Sequence, residues 1–191
     1  MLADALRFLL DVLLQPFAAI LLLRFHLQWL RAPLNNPVGA FIMALTNFLV
    51  LRTRRYIPAA GKLDSATLLL AVVAELLYLA AVLWSVGFQF HAFPWPGLLL
   101  LALVKLFKIS VYLLMTAVFV QAIMSWINPY TPLTPLFAAV TGRFLYPLRR
   151  IIPLAGGVDL SPLALFIICQ LIVMIPVSLL ERLAFGLAGG S

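Results

Sequence analysis

Long apolar blocks alternate with short basic ones along this chain. The first block, Leu9 to Leu30, contains Pro16, Arg24 and His26. A second, Ser65 to Phe88, holds a single charge, Glu75. A third, Gly97 to Ile127, is too long for one simple crossing and is broken by Lys105 and Lys108. Its crossing is predicted at Lys108 to Ile127, with an interfacial lead-in before it. The fourth runs from Ser161 to Leu180 and ends before Glu181 and Arg182. A helix of about 20 apolar residues crosses a hydrocarbon core of roughly 30 Å, so the pattern predicts four transmembrane helices. Between the second and third blocks lies a charge-free connector, Gln89 to Pro96, with aromatics suited to headgroup level.

Two segments fit none of these blocks. Pro37 to Tyr56 and Pro132 to Ile151 each start at a proline and end in a basic cluster. In the second, Leu133, Leu136, Phe137, Val140 and Phe144 recur at helical spacing, with Thr134, Thr141 and Gly142 off the stripe. In the first, Val38, Phe41, Ile42, Leu45 and Leu49 give the same pattern. Both are too short to span before the arginines arrive. Each is predicted to lie in the interface with its apolar face down; a re-entrant half-helix is the competing geometry.

These segments superpose at one constant offset of 95 positions. Pro37 meets Pro132, Ala44 meets Ala139, and Thr46 meets Thr141. Arg54 and Arg55 meet Arg149 and Arg150, Pro58 meets Pro153, Gly61 meets Gly156, and Asp64 meets Asp159. Glu75 meets Gln170 deep in the second span of each half. A single offset serving so many residue types marks an internal repeat, with residues 1–95 as the first copy and 96–191 as the second. Two spans per copy return the chain to its starting side, so the copies are parallel and related by an axis near the membrane normal. The expected fold is an all-α membrane protein: four transmembrane helices in two parallel two-helix repeats, each with an interfacial amphipathic helix in its loop.

Composition agrees with lipid as the main solvent. Of 191 residues, 65% are hydrophobic and 10% charged, where a soluble domain carries about a quarter charged residues. The net charge of +7 would suggest nucleic acid in a soluble protein. Here the basic residues flank apolar spans, where they set orientation and meet anionic headgroups. Loop 1 carries Arg31, Arg52, Arg54, Arg55 and Lys62; loop 2 carries Arg143, Arg149 and Arg150. The other side has Arg7, Lys105, Lys108 and Arg182, partly offset by Asp4, Asp11 and Glu181. The positive-inside rule therefore places both loops in the cytoplasm and both termini in the periplasm. Asp4 and Asp11 bracket Arg7, unlike the basic start of a cleavable signal, so the first span is expected to be retained. The lone Cys169 excludes an internal disulfide and reads as a buried thiol. The C-terminal Gly186, Gly189 and Gly190 read as a frayed tail.

The loop residues carry a family resemblance. Ser125-Trp126-Ile127-Asn128-Pro129-Tyr130-Thr131-Pro132, then Pro147 to Pro153 around Arg149 and Arg150, then Gly156-Gly157-Val158-Asp159-Leu160-Ser161-Pro162 resemble the YggT family, called YlmG in Gram-positive bacteria. The second copy holds the pattern densely. The first looks like the degenerate copy of two-repeat members: it lacks the Ser-Trp-x-Asn-Pro stretch, has Lys62 at the second glycine, and has no proline after Ser65. The resemblance implies a bacterial inner-membrane protein associated with cell division, envelope organisation or osmotic tolerance. Plastid relatives are associated with haem attachment during cytochrome complex assembly.

Several residues are candidates for function. Arg54, Arg55, Arg149 and Arg150 can form a paired platform for anionic lipid or an acidic partner, since a guanidinium grips phosphate or carboxylate through two parallel hydrogen bonds. They also serve as topology determinants. Asp64 and Asp159 favour the positive end of the following helix dipole and can pair with the nearby arginines to lock each loop. Ser65 and Ser161 can cap those helices, Pro162 suits a first helical position, and Gly156 and Gly157 free the turn. Glu75 is expensive in mid-span, so it is protonated, paired or lining a polar cavity. Arg24 and His26 are expected partners, and Gln121 and Gln170 its polar counterparts in the second copy. His26 and His91 belong to opposite faces and do not make a zinc site, and no grouping of catalytic type occurs. No cofactor is expected. Three functions compete: a non-enzymatic scaffold acting through the basic loops, as a homo-oligomer or with a membrane-protein partner; an oligomeric ion channel or transporter with Glu75 in its path; and a haem-handling factor.

Overall fold

The computed structural model describes residues 2–58, 63–90, 94–128, 130–152 and 159–189, without the side chains of residues 2–4 and 126. The helices are α1 Leu2–Trp29, α2 Pro37–Thr53, α3 Ser65–Ser85, α4 Trp95–Ile127, α5 Thr134–Ile151, α6 Ser161–Ile172 and α7 Ser178–Ala188, with a π turn at Val173–Val177 joining the last two. Four helical stretches are long and apolar enough to cross a membrane: Ala5–Trp29, Ser65–Ser85, Trp95–Ser125 and Ser161–Ala188. Two of the four belong to each repeat, and the short helices α2 and α5 occupy the two loops.

Local chemistry sets the element ends. At the end of α1 the Arg31 N–H donates to the Gln28 carbonyl and the Ala32 N–H to the Leu27 carbonyl. This is a Schellman ending, and it needs a left-handed residue at Arg31, where φ is 53°. Leu27 and Ala32 make the accompanying apolar contact. The end of α3 repeats the device with Gly87 at φ 71° and Phe88 donating to Leu83, so the turn there suits the one residue free of a Cβ penalty. Helix α2 begins at Pro37 behind Asn36, whose side chain accepts from the Gly39 N–H.

Three predicted boundaries change. Helix α4 is one continuous helix of 33 residues, about 50 Å long, with no interfacial lead-in. The lysines that argued for a break are satisfied where they stand: Lys105 and Lys108 reach Glu181 of α7 at 3.2 and 3.0 Å. The same pairing lets the fourth span continue past Leu180 to Ala188 instead of stopping before Glu181, and Gly186 lies in α7, not in a tail. Pro176 lacks the N–H that an α-helix needs, and the π turn around it absorbs the missing bond.

The packing follows the repeat. Helix α1 lies against α3 and α4 against α6, while α3 with α4 joins the two copies and α7 folds back along α4. Gly97 permits that last approach, because a Cβ there would overlap the backbone of Leu187 and Ala188. Leu79 and Leu83 of α3 cluster with Leu98, Leu101 and Ala102 of α4 and Ala184 and Ala188 of α7 at one end of the bundle. At the other end Leu27, Ala32 and Ile42 of the first copy meet Leu136 of the second. Both loop helices therefore sit at the same end.

The apolar stripes predicted to face the lipid are only partly buried in the bundle, and other positions of the loop helices pack inward with them. In α2 the buried positions are Gly39, Ile42, Thr46 and Val50, while Phe41, Leu45 and Phe48 are exposed. In α5 they are Leu136, Thr141 and Leu145, so Thr141 points in. Where lipid is the solvent, apolar side chains gain little by leaving it, and small or hydrogen-bonding residues mark the packed face instead.

Candidate functional site at the loop end

The two copies build the same clamp. Arg54 grips Asp64, with its terminal nitrogen 2.5 Å and its Nε 3.3 Å from the two carboxylate oxygens. Ninety-five positions on, Arg149 Nε donates to Asp159 at 2.8 Å. In both copies the pair is ten residues apart, so it closes the loop between the short helix and the following span. Asp64 also caps α3, accepting from the Thr67 N–H and hydroxyl. Ser65, expected as the cap, instead donates its hydroxyl to the Pro58 carbonyl. In the second copy Leu160 holds the cap position without a side-chain bond, and Asp159 accepts from the Ser161 N–H. Neither serine is therefore the capping acceptor.

The clamps differ in burial. Asp64 is 4% exposed and Asp159 31%. Arg54 additionally reaches Gln28 at the end of α1, 3.2 Å away, so the first clamp ties three elements and the second only two. Burial pushes the Asp64 carboxyl up, but Arg54 and Thr67 outweigh it and hold it below the usual carboxylate range. Asp159 is likewise lowered: burial raises it, and Ser161 and Arg149 prevail.

One arginine of each pair is thus tied to the aspartate of its loop, Arg54 half-buried and Arg149 still exposed. The other is not. Arg55 is exposed. Arg150 is exposed as well and folds over the Tyr146 ring at 4.4 Å while donating to its hydroxyl. The four arginines are two structural and two outward-facing groups, not one uniform platform.

A second repeated element lies under the clamps. The Thr46 hydroxyl donates to the Ile42 carbonyl at 2.6 Å and accepts from Arg24 of α1, also at 2.6 Å. Thr141 bonds the equivalent Phe137 carbonyl and Gln121 of α4. Each loop helix is therefore pinned to the preceding span through a buried threonine. Sequence reading set Thr141 aside as off-stripe, although the constant offset from Thr46 marked it.

The five residues singled out as an intramembrane polar site do not converge. Arg24 is fully buried and spends one nitrogen on Thr46 and Asn47. His26 donates its Nδ1 hydrogen to the Leu22 carbonyl at 2.7 Å. Gln121 serves Thr141, and Gln170 is exposed on α6. Glu75 is fully buried with neither carboxylate oxygen hydrogen-bonded. Asn128 accepts from the Tyr130 N–H, and Pro162 falls in the first turn of α6 as expected. Trp126 lies near the C-terminus of α4. Its side chain and Pro129, Pro153, Gly156, Gly157 and His91 lie outside the described residues. Among the described residues no three His, Cys, Asp or Glu side chains come together for a metal.

The comparisons with known proteins agree with the repeat. The family model described as CCB3/YggT matches residues 3–85 and again 100–180. The chain is 31% identical over 172 residues to the uncharacterised protein YggT of Escherichia coli strain K12, covering 90% of this chain and 88% of that one. It is 35% identical over 170 residues to an uncharacterised Vibrio alginolyticus protein, covering 86% and 89%. A Pseudomonas aeruginosa relative is 32% identical over 173 residues, covering 90% and 87%. No solved structure matches the chain.

Proposed function

The chain belongs to the CCB3/YggT family, and we propose that it is a non-enzymatic scaffold of the bacterial inner membrane that docks an anionic partner surface on its two cytoplasmic loops. Cell division, envelope organisation and the assembly of membrane complexes are processes in which such a scaffold would serve. The observation that carries this reading is the division of labour within each Arg-Arg pair. Arg54 and Arg149 bind Asp64 and Asp159, which leaves Arg55 and Arg150 exposed at the ends of the loop helices, at one end of the bundle.

Photo-crosslinkers placed at residues 55 and 150 in separate chains test the reading. Both should yield an adduct with the same partner, and Arg150→Glu or Arg55→Glu in the other copy should cut that adduct at least tenfold while membrane insertion is unchanged. Adducts that ignore the charge reversals, or that differ entirely between the two sites, would sink it. The ion-channel reading retains one supporting feature, the carboxylate of Glu75, unsatisfied among the described residues, but Glu75 does not line the apolar groove between the copies.

A further inference from the structure

An apolar groove of about 670 Å³ runs between the two copies, well within the range of roughly 300–1,000 Å³ that small ligands occupy. Its walls come from the end of α1, the middle of α4, and the facing sides of α5 and α6, with Leu27, Val111, Leu114, Val140, Leu165 and Ile172 among them. The polar side chains in it bond largely within their own helices, with the second ring nitrogen of His26 left over. His26 donates to Leu22, Ser110 to Leu106 and Thr116 to Tyr112. The interior thus presents hydrocarbon and offers a polar ligand little to bind.

The rim differs. Trp29 and Phe144 line the groove at its loop end, and the Arg143 guanidinium sits 5.6 Å from the centre of the Trp29 ring. Arg143 is exposed. Among the described residues Arg143 forms no ion pair, and the loop carboxylates Asp64 and Asp159 are held by Arg54 and Arg149. Arg31 follows Trp29 by two residues and is exposed too. Along α4 the lining runs from Phe107 to Val120, about 20 Å of helix, close to the depth of one leaflet of a hydrocarbon core roughly 30 Å thick.

We propose that this groove is a binding site for an anionic phospholipid of the loop-side leaflet, with an acyl chain along α4 between the two copies and the phosphate held by Arg143 at the Trp29 rim. Depth selects a lipid chain, the spent polar groups reject a polar ligand, and the unpaired guanidinium selects the negative headgroup. The site is distinct from the loop tips: it uses neither Arg55 nor Arg150, so it stands or falls independently of the scaffold reading. The bound lipid would add to the contact that Leu27, Ala32 and Ile42 of the first copy make with Leu136 of the second at this end.

Native mass spectrometry of the full-length protein, released from nanodiscs of phosphatidylglycerol and phosphatidylcholine in equal parts, tests the proposal. The wild type should retain one phospholipid, with phosphatidylglycerol favoured about tenfold. Arg143→Gln should remove that preference, and Ala117→Trp, which fills the groove, should remove the lipid whatever its headgroup. Glycerol phosphate at millimolar concentration should neither bind nor compete. Retention of no lipid by monodisperse wild type would overturn the proposal, as would equal retention of the two headgroups or a preference that survives Arg143→Gln. The last variant alters only an exposed side chain, so the headgroup arm stays decisive if Ala117→Trp fails to fold.

Discussion

Arg54→Ala will destabilise the protein by about 1–3 kcal/mol, because it leaves a buried carboxylate with Thr67 but without its counter-charge, while Arg54 itself is 35% exposed and screened by solvent. The equivalent Arg149→Ala will change stability by about 0–1 kcal/mol, as expected for an exposed ion pair. The contrast follows from Asp64 being 4% exposed and Asp159 31%, and from the added reach of Arg54 to Gln28. At this chain length roughly 2–4 °C of melting temperature accompanies each kcal/mol, so thermal unfolding in detergent separates the two variants. Adding Asp64→Asn to Arg54→Ala should recover part of the loss, because the stranded charge is then gone. Equal losses in the two repeats would show that the burial difference does not govern the clamps.

The clamp also sets an acid dependence. Asp64 and Asp159 have folded-state values below their unfolded ones. Their contribution is therefore complete above the unfolded carboxylate value of about 3.9 and is lost as pH falls through the lower folded value. In Arg54→Ala burial pushes the Asp64 carboxyl up without the arginine to oppose it, so the gap between wild type and variant should begin to shrink as pH falls through that raised value and close only below the lowered value of the wild type.

Glu75→Leu will have the opposite sign. Glu75 is fully buried in the cluster built from Ala18, Leu21, Ala71, Ala74 and Leu106, and neither of its oxygens is hydrogen-bonded. Lys105 of α4 is the cation whose field reaches it. An unsatisfied buried polar group costs about 1–3 kcal/mol, and leucine fills a similar volume without that cost. The variant should melt higher than wild type by an amount in that range, and Glu75→Gln should lie between them. A residue kept against stability is one that function maintains, so a stabilised variant that loses the protein's cellular role would mark Glu75 as functional. A lower melting temperature for Glu75→Leu would mean that the carboxyl has a stabilising partner, and the uncompensated burial described above would then be wrong.

Much of the architecture was legible before the structure. The four spans, the parallel repeat and the pairing of each aspartate with an arginine of its loop follow from apolar block lengths and a constant offset, both of which are strong signals. What stayed hidden has one physical root. In water, an apolar stripe identifies the packed face of a helix, but in lipid both faces are apolar and the stripe is silent. That is why the apolar stripe with Phe41 and Leu45, exposed on the bundle, gave no sign that Gly39 and Thr46 are among the packed positions of α2. The continuity of α4 was missed for a related reason. Lys105 and Lys108 looked like an interruption because Glu181, their partner, lies more than seventy residues away, and sequence distance gives no hint of the pairing. The loop-end site was half legible: the arginines stood out, but only burial and geometry divide them into clamping and outward-facing members.

The central claim is that the two copies run parallel and present Arg55 and Arg150 together on the cytoplasmic face. Single cysteines at Arg55→Cys, Arg150→Cys and Gln89→Cys, in a Cys169→Ala background, test it with a membrane-impermeant maleimide. Intact spheroplasts should label position 89 and spare 55 and 150, and inverted vesicles should do the reverse. Labelling of 55 and 150 from opposite sides of the membrane would contradict the parallel repeat, and labelling of both from outside would contradict the orientation.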